Sequence, residues 1–333
     1  MKKLAFLAVV LLAIGTTSLV AQAKKAYNPR VVDIGYCVTD TTNPFIGWLT
    51  NTVKGLAKAD GYNVQIADAG GDSARQLEQM ENFIAMRVKV IDLMPVDPNN
   101  VQEVIKKAQS QGIRVMVAGT DTGVQDFMMN IDQHACGEDI AQLCIDWVLK
   151  TFTPDGKASS LPAEAKKLKV IVIPDFDTLD AKNRSDGIIK RLNEFGKLDV
   201  VMAAGETMTM TQAMSIMENT WQKNRDAVAV CTYNADSAVG VNNYIMGLPG
   251  VDRSKFGVFT GDWSQEFQGL LNSSLKNDSV CRATMRIVGP VIDGKSIPLP
   301  EATWIYMKDL YAGKFTYGHW EKDTIAPAYP EAK

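Results

Sequence analysis

The sequence predicts an α/β protein of two lobes, each built on a parallel sheet with helices on both faces. Three observations carry this. Short apolar runs alternate with stretches of helical period in units of about 25–30 residues, the size of a βα unit. The runs are apolar nearly throughout rather than at every second position, which suits strands covered on both faces. The series occurs twice within 333 residues, a length that suits two domains.

The first series opens with a strand over Val31 to Val38, a polar loop over Thr39 to Asn43 and a helix starting at Pro44. Proline fits a first helical turn because its missing N–H is not needed there. Phe45, Trp48, Leu49, Val53 and Leu56 then recur at spacings of three and four, one apolar stripe. Strands at 64–69, 90–95 and 114–119 alternate with helices at 73–87 and 99–111, and the last strand runs into Thr120-Asp121-Thr122.

The second series begins with a strand at 127–132 and a helix from Glu138 to Lys150, so the chain crosses between lobes near 120–135. A Pro/Gly/Ser-rich and then lysine-rich excursion follows, TFTPDGKASSLPAEAKK. Strands at 168–175, 199–205, 227–234 and 256–262 then alternate with helices at 179–195, 211–223 and 236–247. Beyond Gln265 come another helix, a strand at 280–288, a helix from Val291 to Tyr311 and an extended tail.

Composition excludes several functions. A net charge of -3 without lysine or arginine blocks offers no footprint for nucleic acid. Lys2 and Lys3, the apolar run from Leu4 to Ile14 and Ala21-Gln22-Ala23 have the form of a secretory signal peptide over residues 1–23, too short to span a bilayer comfortably. The mature chain, from near Lys24, is expected to be exported, soluble and not membrane-embedded. Its five cysteines include Cys37 and Cys231 inside apolar strands, where cysteine behaves as a small hydrophobe, and all five are expected as free thiols. With no CxxC and no Cys/His cluster, no metal site is expected. No GxSxG, GxGxxG or Walker loop is present, and Gly70-Gly71, flanked by Asp68 and Asp72, reads as a turn.

Asn43, Asp121, Asp175, Asn234 and Asp262 each follow an apolar strand directly or after a short loop. Asp and Asn there can cap the next helix. They can also line a cleft, since in open α/β sheets ligands sit at the strands' carboxyl ends.

Taken in order, the opening strand, TNPF, the Asp after the fourth strand, the Arg-x-x-Gly of RSDG, the Asn of CTYNAD and the Asp of FTGDW resemble the ribose-binding-protein-like periplasmic sugar receptors of ABC importers. The resemblance runs from about Val31 to the tail. It implies two Rossmann-like lobes joined by a three-segment hinge, the type I periplasmic binding fold. The expected first lobe is 24–132 plus 287–315, and the expected second lobe 133–286 plus 316–333. It implies a ligand held by Asn43, Phe45 and Asp121 from the first lobe and Arg184, Asn234 and Asp262 from the second, with Trp263 as a stacking surface and Arg286 in the last crossing strand.

The chemistry of these groups fits a sugar. Carboxylates accept hydroxyl protons, the guanidinium donates, and hydrogen bonds to charged groups are the strong ones. Asp121-Thr122 stands where the family's ribose binders have Asp-Arg, and Arg286 where they have glutamine, which points away from ribose and leaves a pentose, hexose, polyol or sugar acid. The family implies periplasmic location, a monomer, a membrane permease as partner, and neither cofactor nor catalytic residue. Replacing Arg184 or Asp262 by Ala is expected to abolish binding and spare the unliganded fold. The rivals are a ligand receptor for a chemoreceptor or sensor kinase, an exported carbohydrate-active enzyme using Asp121, Asp175 and Asp262, and a sugar-responsive repressor core, which the leader and the missing DNA-binding module argue against.

Overall fold

The computed structural model describes residues 25–162, 166–207, 209–292, 294–315 and 319–331. The expected leader, residues 1–23, lies outside the described residues, as does Met208, near which the family's second aromatic would fall.

The first sheet is built by β1 (Ile34–Val38), β2 (Val64–Asp68), β3 (Val90–Leu93), β4 (Arg114–Ala118) and β5 (Phe127–Asn130), interleaved with α1 (Pro44–Ala59), α2 (Ser73–Ala85) and α3 (Gln102–Ser110). All five β1 residues are buried, as a strand covered on both faces requires. Ile34, Tyr36 and Val38 face α1, while Cys37 faces α2 and α3. Asn43 and Pro44 start α1, and Leu49, Val53 and Ala57 form its buried stripe.

The second lobe opens with α4 (Gln133–Phe152) and continues through β6 (Leu168–Ile173), α5 (Leu179–Phe195), β7 (Leu198–Met202), α6 (Met210–Trp221), β8 (Ala227–Thr232), α7 (Ala235–Met246), β9 (Gly257–Gly261), α8 (Gln265–Ser273) and β10 (Cys281–Gly289). A short hairpin, β11 (Val291–Ile292) and β12 (Lys295–Ser296), leads to α9 (Leu299–Tyr311), and the tail forms β13 (His319–Lys322) and β14 (Thr324–Ala328).

The sheets run β13-β5-β4-β3-β1-β2 and β14-β10-β9-β8-β6-β7. Their pairings are parallel except for β14 against β10. The chain passes between them after β5, after β10 and between β13 and β14. At the third passage the Asp323 N–H bonds the Asn130 carbonyl at the first, 2.9 Å away. All five cysteines are buried free thiols. Among the described residues no helix is long and apolar enough to cross a membrane.

Three expectations shift. The helix expected from Val291 begins at Leu299; Gly294 (φ 75°) turns the β11–β12 hairpin, and Pro298 stands at the N-cap position with Pro300 in the first turn, where a missing N–H is not needed. α4 starts at Gln133, capped by the Asp132 carboxylate, not at Glu138. The tail, expected whole in the second lobe, is divided: β13 covers the β5 edge of the first sheet and only β14 joins the second, which relieves both edges of unpaired backbone groups.

Two glycines fix how α4 lies on α5. A Cβ on Gly137 would stand 2.0 Å from the Arg184 carbonyl oxygen, and one on Gly187 would stand 2.1 Å from that of His134. The helices therefore touch backbone to backbone at Arg184, the residue that α5 presents to the strand ends.

Candidate functional site

The carboxyl ends of β1, β8 and β9 meet at the mouth between the lobes. Asn43, Phe45, Asn234, Asp236, Asp262 and Trp263 line a gap of about 10 Å³ there, room for one water at most.

Asn43 has two functions at once. Its Oδ1 accepts from the N–H groups of Phe45 and Ile46 at 3.0 and 3.2 Å, capping α1. Its Nδ2 reaches across to Asp236 Oδ2 of the other lobe, 3.5 Å away. Aromatic rings bridge the same gap: Phe45 lies 6.0 Å from Trp48, and Trp48 meets Trp263 of the opposite lobe edge-on at 6.4 Å. A bond from Trp263 Nε1 to Gln268 Oε1, 2.9 Å, orients that indole.

Behind the mouth stands Arg184, 2% exposed. Its Nε donates to Gln133 Oε1 at 2.9 Å, and its Nη1 to the Tyr233 carbonyl at 3.1 Å and to Asp262 Oδ1 at 3.0 Å. The guanidinium also lies over the Tyr233 ring, 4.6 Å from its centre. Asp262 takes a left-handed backbone (φ 66°), uncommon for a residue with a side chain and typical of functional loops. Its carbonyl accepts from Thr284 Oγ1 at 2.5 Å.

The remaining polar strand ends divide between capping, turn and site. Asn234 caps α7 through the Ser237 N–H, 3.0 Å, while also facing the gap. Asp121 is exposed and closes a local turn with Gly123 N and Gln125 Nε2 at 2.8 and 2.7 Å. Asp175 accepts from Asp177 N at 2.9 Å through Oδ1, while its Oδ2 is buried without a hydrogen-bond partner among the described residues. Arg286 is exposed on β10 opposite Ala326 and is not among the gap's lining residues.

Of two further carboxylates that the motif reading did not single out, Asp236 lines the gap and Asp180 stands near Arg184. Burial pushes Asp180 up to about 6, although Asn130 (3.1 Å), the Arg184 charge and Gln133 (3.2 Å) all act to lower it. Asp236, pressed by burial and then by the charges of Asp262 and Glu266, is likewise pushed up to about 6. Both are first-turn acids of their helices, where the helix dipole alone accounts for an acid in sequence. Only the fold places Asp236 at the gap, while Asp180 bonds Asn130 and Gln133 and is not among the gap's lining residues. Among the described residues, no group of three or more His, Cys, Asp or Glu stands close enough to hold a metal ion.

Carboxylates and amides above one deeply held guanidinium, beside indole and phenyl faces, form a surface that accepts and donates hydrogen bonds while excluding water. Such a surface suits a polyhydroxylated solute.

Comparison with known proteins agrees with this architecture. Residues 34–282 match the family described as "Periplasmic binding protein domain". The ribose import binding protein of Bacillus subtilis is 24% identical over 222 residues, 66% of this chain and 67% of that protein. Among solved structures, a periplasmic solute-binding protein of an ABC transporter from Actinobacillus succinogenes with bound D-allose superposes with a TM-score of 0.73 at 14% identity, over 90% of this chain and 97% of that one. A Mycobacterium smegmatis protein in complex with β-D-fucofuranose gives 0.71 at 16%, over 90% and 91%. With the family match spanning both lobes and the cleft between them, the chain belongs to the periplasmic binding protein domain family.

Proposed function

We propose that this chain is the exported receptor of an ABC sugar importer: it captures a sugar or sugar-like solute between its lobes and delivers it to the membrane permease. One observation carries the reading: polar and aromatic groups of the two lobes face each other across a gap, Asn43 toward Asp236 and Trp48 against Trp263. The ribose importer relative and the sugars bound by the structural neighbours support it. The leader over residues 1–23 accounts for export to the periplasm.

The mechanism is lobe closure, the transition typical of periplasmic binding proteins. The gap lined by Asn43 and Asp262 is far smaller than a sugar ring, so a solute enters only when the walls part. It then gains contacts from both sides at once: hydrogen bonds to Asn43, Asn234 and Asp262, and apolar cover from Phe45 and Trp263. Those contacts exist together only in a closed form, so the solute shifts the open–closed equilibrium by its differential affinity for closure. Micromolar binding corresponds to about 8 kcal/mol, within reach of a few charge-assisted bonds and one desolvated ring. Arg184 acts from behind the walls by aiming Asp262.

A thermal-shift screen of sugars, polyols and sugar acids tests this. One class should raise the Tm with no product formed. A screen without a hit, or turnover of the hit, overturns the reading.

A further inference from the structure

We infer that the solute carries an amine: the cleft's lining is matched to an ammonium group on a polyhydroxylated ring or chain, an amino sugar or aminated polyol. This rests on the receptor reading above and names the class of solute within it.

The inference starts from the charges. Asp236 and Asp262 both line the gap, and among the described residues no lysine or arginine lines it with them. The cation beneath, Arg184, is already committed to Asp262, the Tyr233 carbonyl and Gln133. Arg286, the cation that would have favoured a sugar acid, is exposed away from the gap. Asp236 is left with a long contact, 3.5 Å, to the Asn43 amide, at the limit of a hydrogen bond. A half-buried carboxylate so weakly partnered is expensive to keep ionised. Its raised proton affinity, from burial and from the charges of Asp262 and Glu266, expresses the same shortage of positive charge.

The aromatic walls supply a second, independent observation. Phe45 and Trp263 line the gap that Asp236 and Asp262 line, and Trp48 stands against Trp263. Ring faces attract a cation through their quadrupole, so carboxylates and rings converging from two lobes are complementary to an ammonium group. A carboxylate-bearing solute would meet Asp236 and Asp262 as like charges. A neutral sugar would give Asp236 hydroxyl hydrogen bonds but no counter-charge.

Calorimetric titration of the mature protein tests this with D-glucosamine, D-galactosamine and 1-amino-1-deoxy-D-sorbitol, each beside its hydroxyl parent, and with the two N-acetylated sugars and D-glucuronate. At least one amine should bind about tenfold or more tighter than its hydroxyl parent and its acetylated form, as a charge-assisted bond implies. Asp236→Asn, with its unliganded Tm recorded to establish folding, should shrink that preference by about tenfold. A hydroxyl parent or D-glucuronate binding as tightly as the amine overturns the amine assignment and leaves the receptor reading standing. An undiminished preference in the folded variant also overturns it. Silence across the whole panel overturns the amine assignment, and the receptor reading is then decided by the wider thermal-shift screen.

Discussion

Arg184 Nη1 lies 3.0 Å from Asp262 Oδ1, with the arginine side chain 3% exposed and the aspartate 22%. The pair joins α5 to the end of β9, and the same guanidinium ties in Gln133 of α4 and the Tyr233 carbonyl beyond β8. Truncating one member of a buried pair leaves the other charge uncompensated, at a cost of about 3–5 kcal/mol. Arg184→Ala is therefore expected to lower the stability of the unliganded protein as well as to abolish binding, where the sequence pointed to binding alone. Asp262→Asn keeps the shape but leaves the more deeply buried guanidinium without its counter-charge, so it should cost a comparable amount. Urea unfolding of both variants checks this; a midpoint for Arg184→Ala equal to the parent's would show that Arg184 is not structural.

Gly187 explains the Arg-x-x-Gly motif in physical terms. A methyl group there would meet the His134 carbonyl oxygen at 2.1 Å and the Gly137 Cα at 3.1 Å. Backbone cannot yield as a flexible side chain can, so Gly187→Ala should cost at least about 1–3 kcal/mol, the usual penalty of overpacking. By lifting α5 from α4 it should also displace Arg184 and weaken solute binding. A melting curve and one titration decide this, and an unchanged Tm would refute the close approach.

How much of this was legible in sequence follows from the same residues. Strand order and the start of α1 were, because apolar runs and an Asn-Pro start are local signals. So was the Asn43–Asn234–Asp262 set, through motif order. Asp236 lay inside CTYNAD unremarked, since a first-turn acid is already accounted for by the helix dipole; only the fold brings it opposite Asn43. Arg286 drew attention as a charge in a crossing strand, but whether that side chain faces cleft or solvent depends on the β10 pleat, which the motif did not fix. The division of the tail between sheets depends on edges that exist only once both sheets are formed.

Asp92 gives the pH dependence a distinct signature. It sits on β3 beside Tyr36 of β1, and both its carboxyl oxygens and the Tyr36 hydroxyl are buried without hydrogen-bond partners among the described residues. Burial pushes the carboxyl from 3.8 up to about 8. A raised folded-state value means that the folded protein holds the proton more tightly, so stability is full below about pH 4 and is lost as pH rises toward 8. The expected slope is about 1.4 kcal/mol per pH unit. Asp180 and Asp236 act with the same sign, but their window closes near pH 6. From pH 6 to 8 the Asp92 contribution therefore outlasts those of Asp180 and Asp236. Asp92→Asn, neutral throughout, should flatten the Tm profile there and melt higher than the parent at pH 8; parallel profiles would refute the assignment.

Trp48 and Trp263 offer a direct reading of closure. They come from opposite lobes and meet edge-on at 6.4 Å, a contact of the kind worth about 0.5–1.5 kcal/mol. The contact exists only while the lobes are together, so removing it destabilises the closed form and leaves the open one untouched. The apparent affinity scales with the competent fraction. Trp48→Ala should therefore weaken solute binding by about twofold to tenfold and leave global unfolding nearly unchanged, because Trp48 is 43% exposed on α1. In the parent protein, parting of the two indoles should alter tryptophan emission, and a saturating solute should restore the closed spectrum. A solute that binds without any change in emission would mean that the two lobes do not move against each other along this contact.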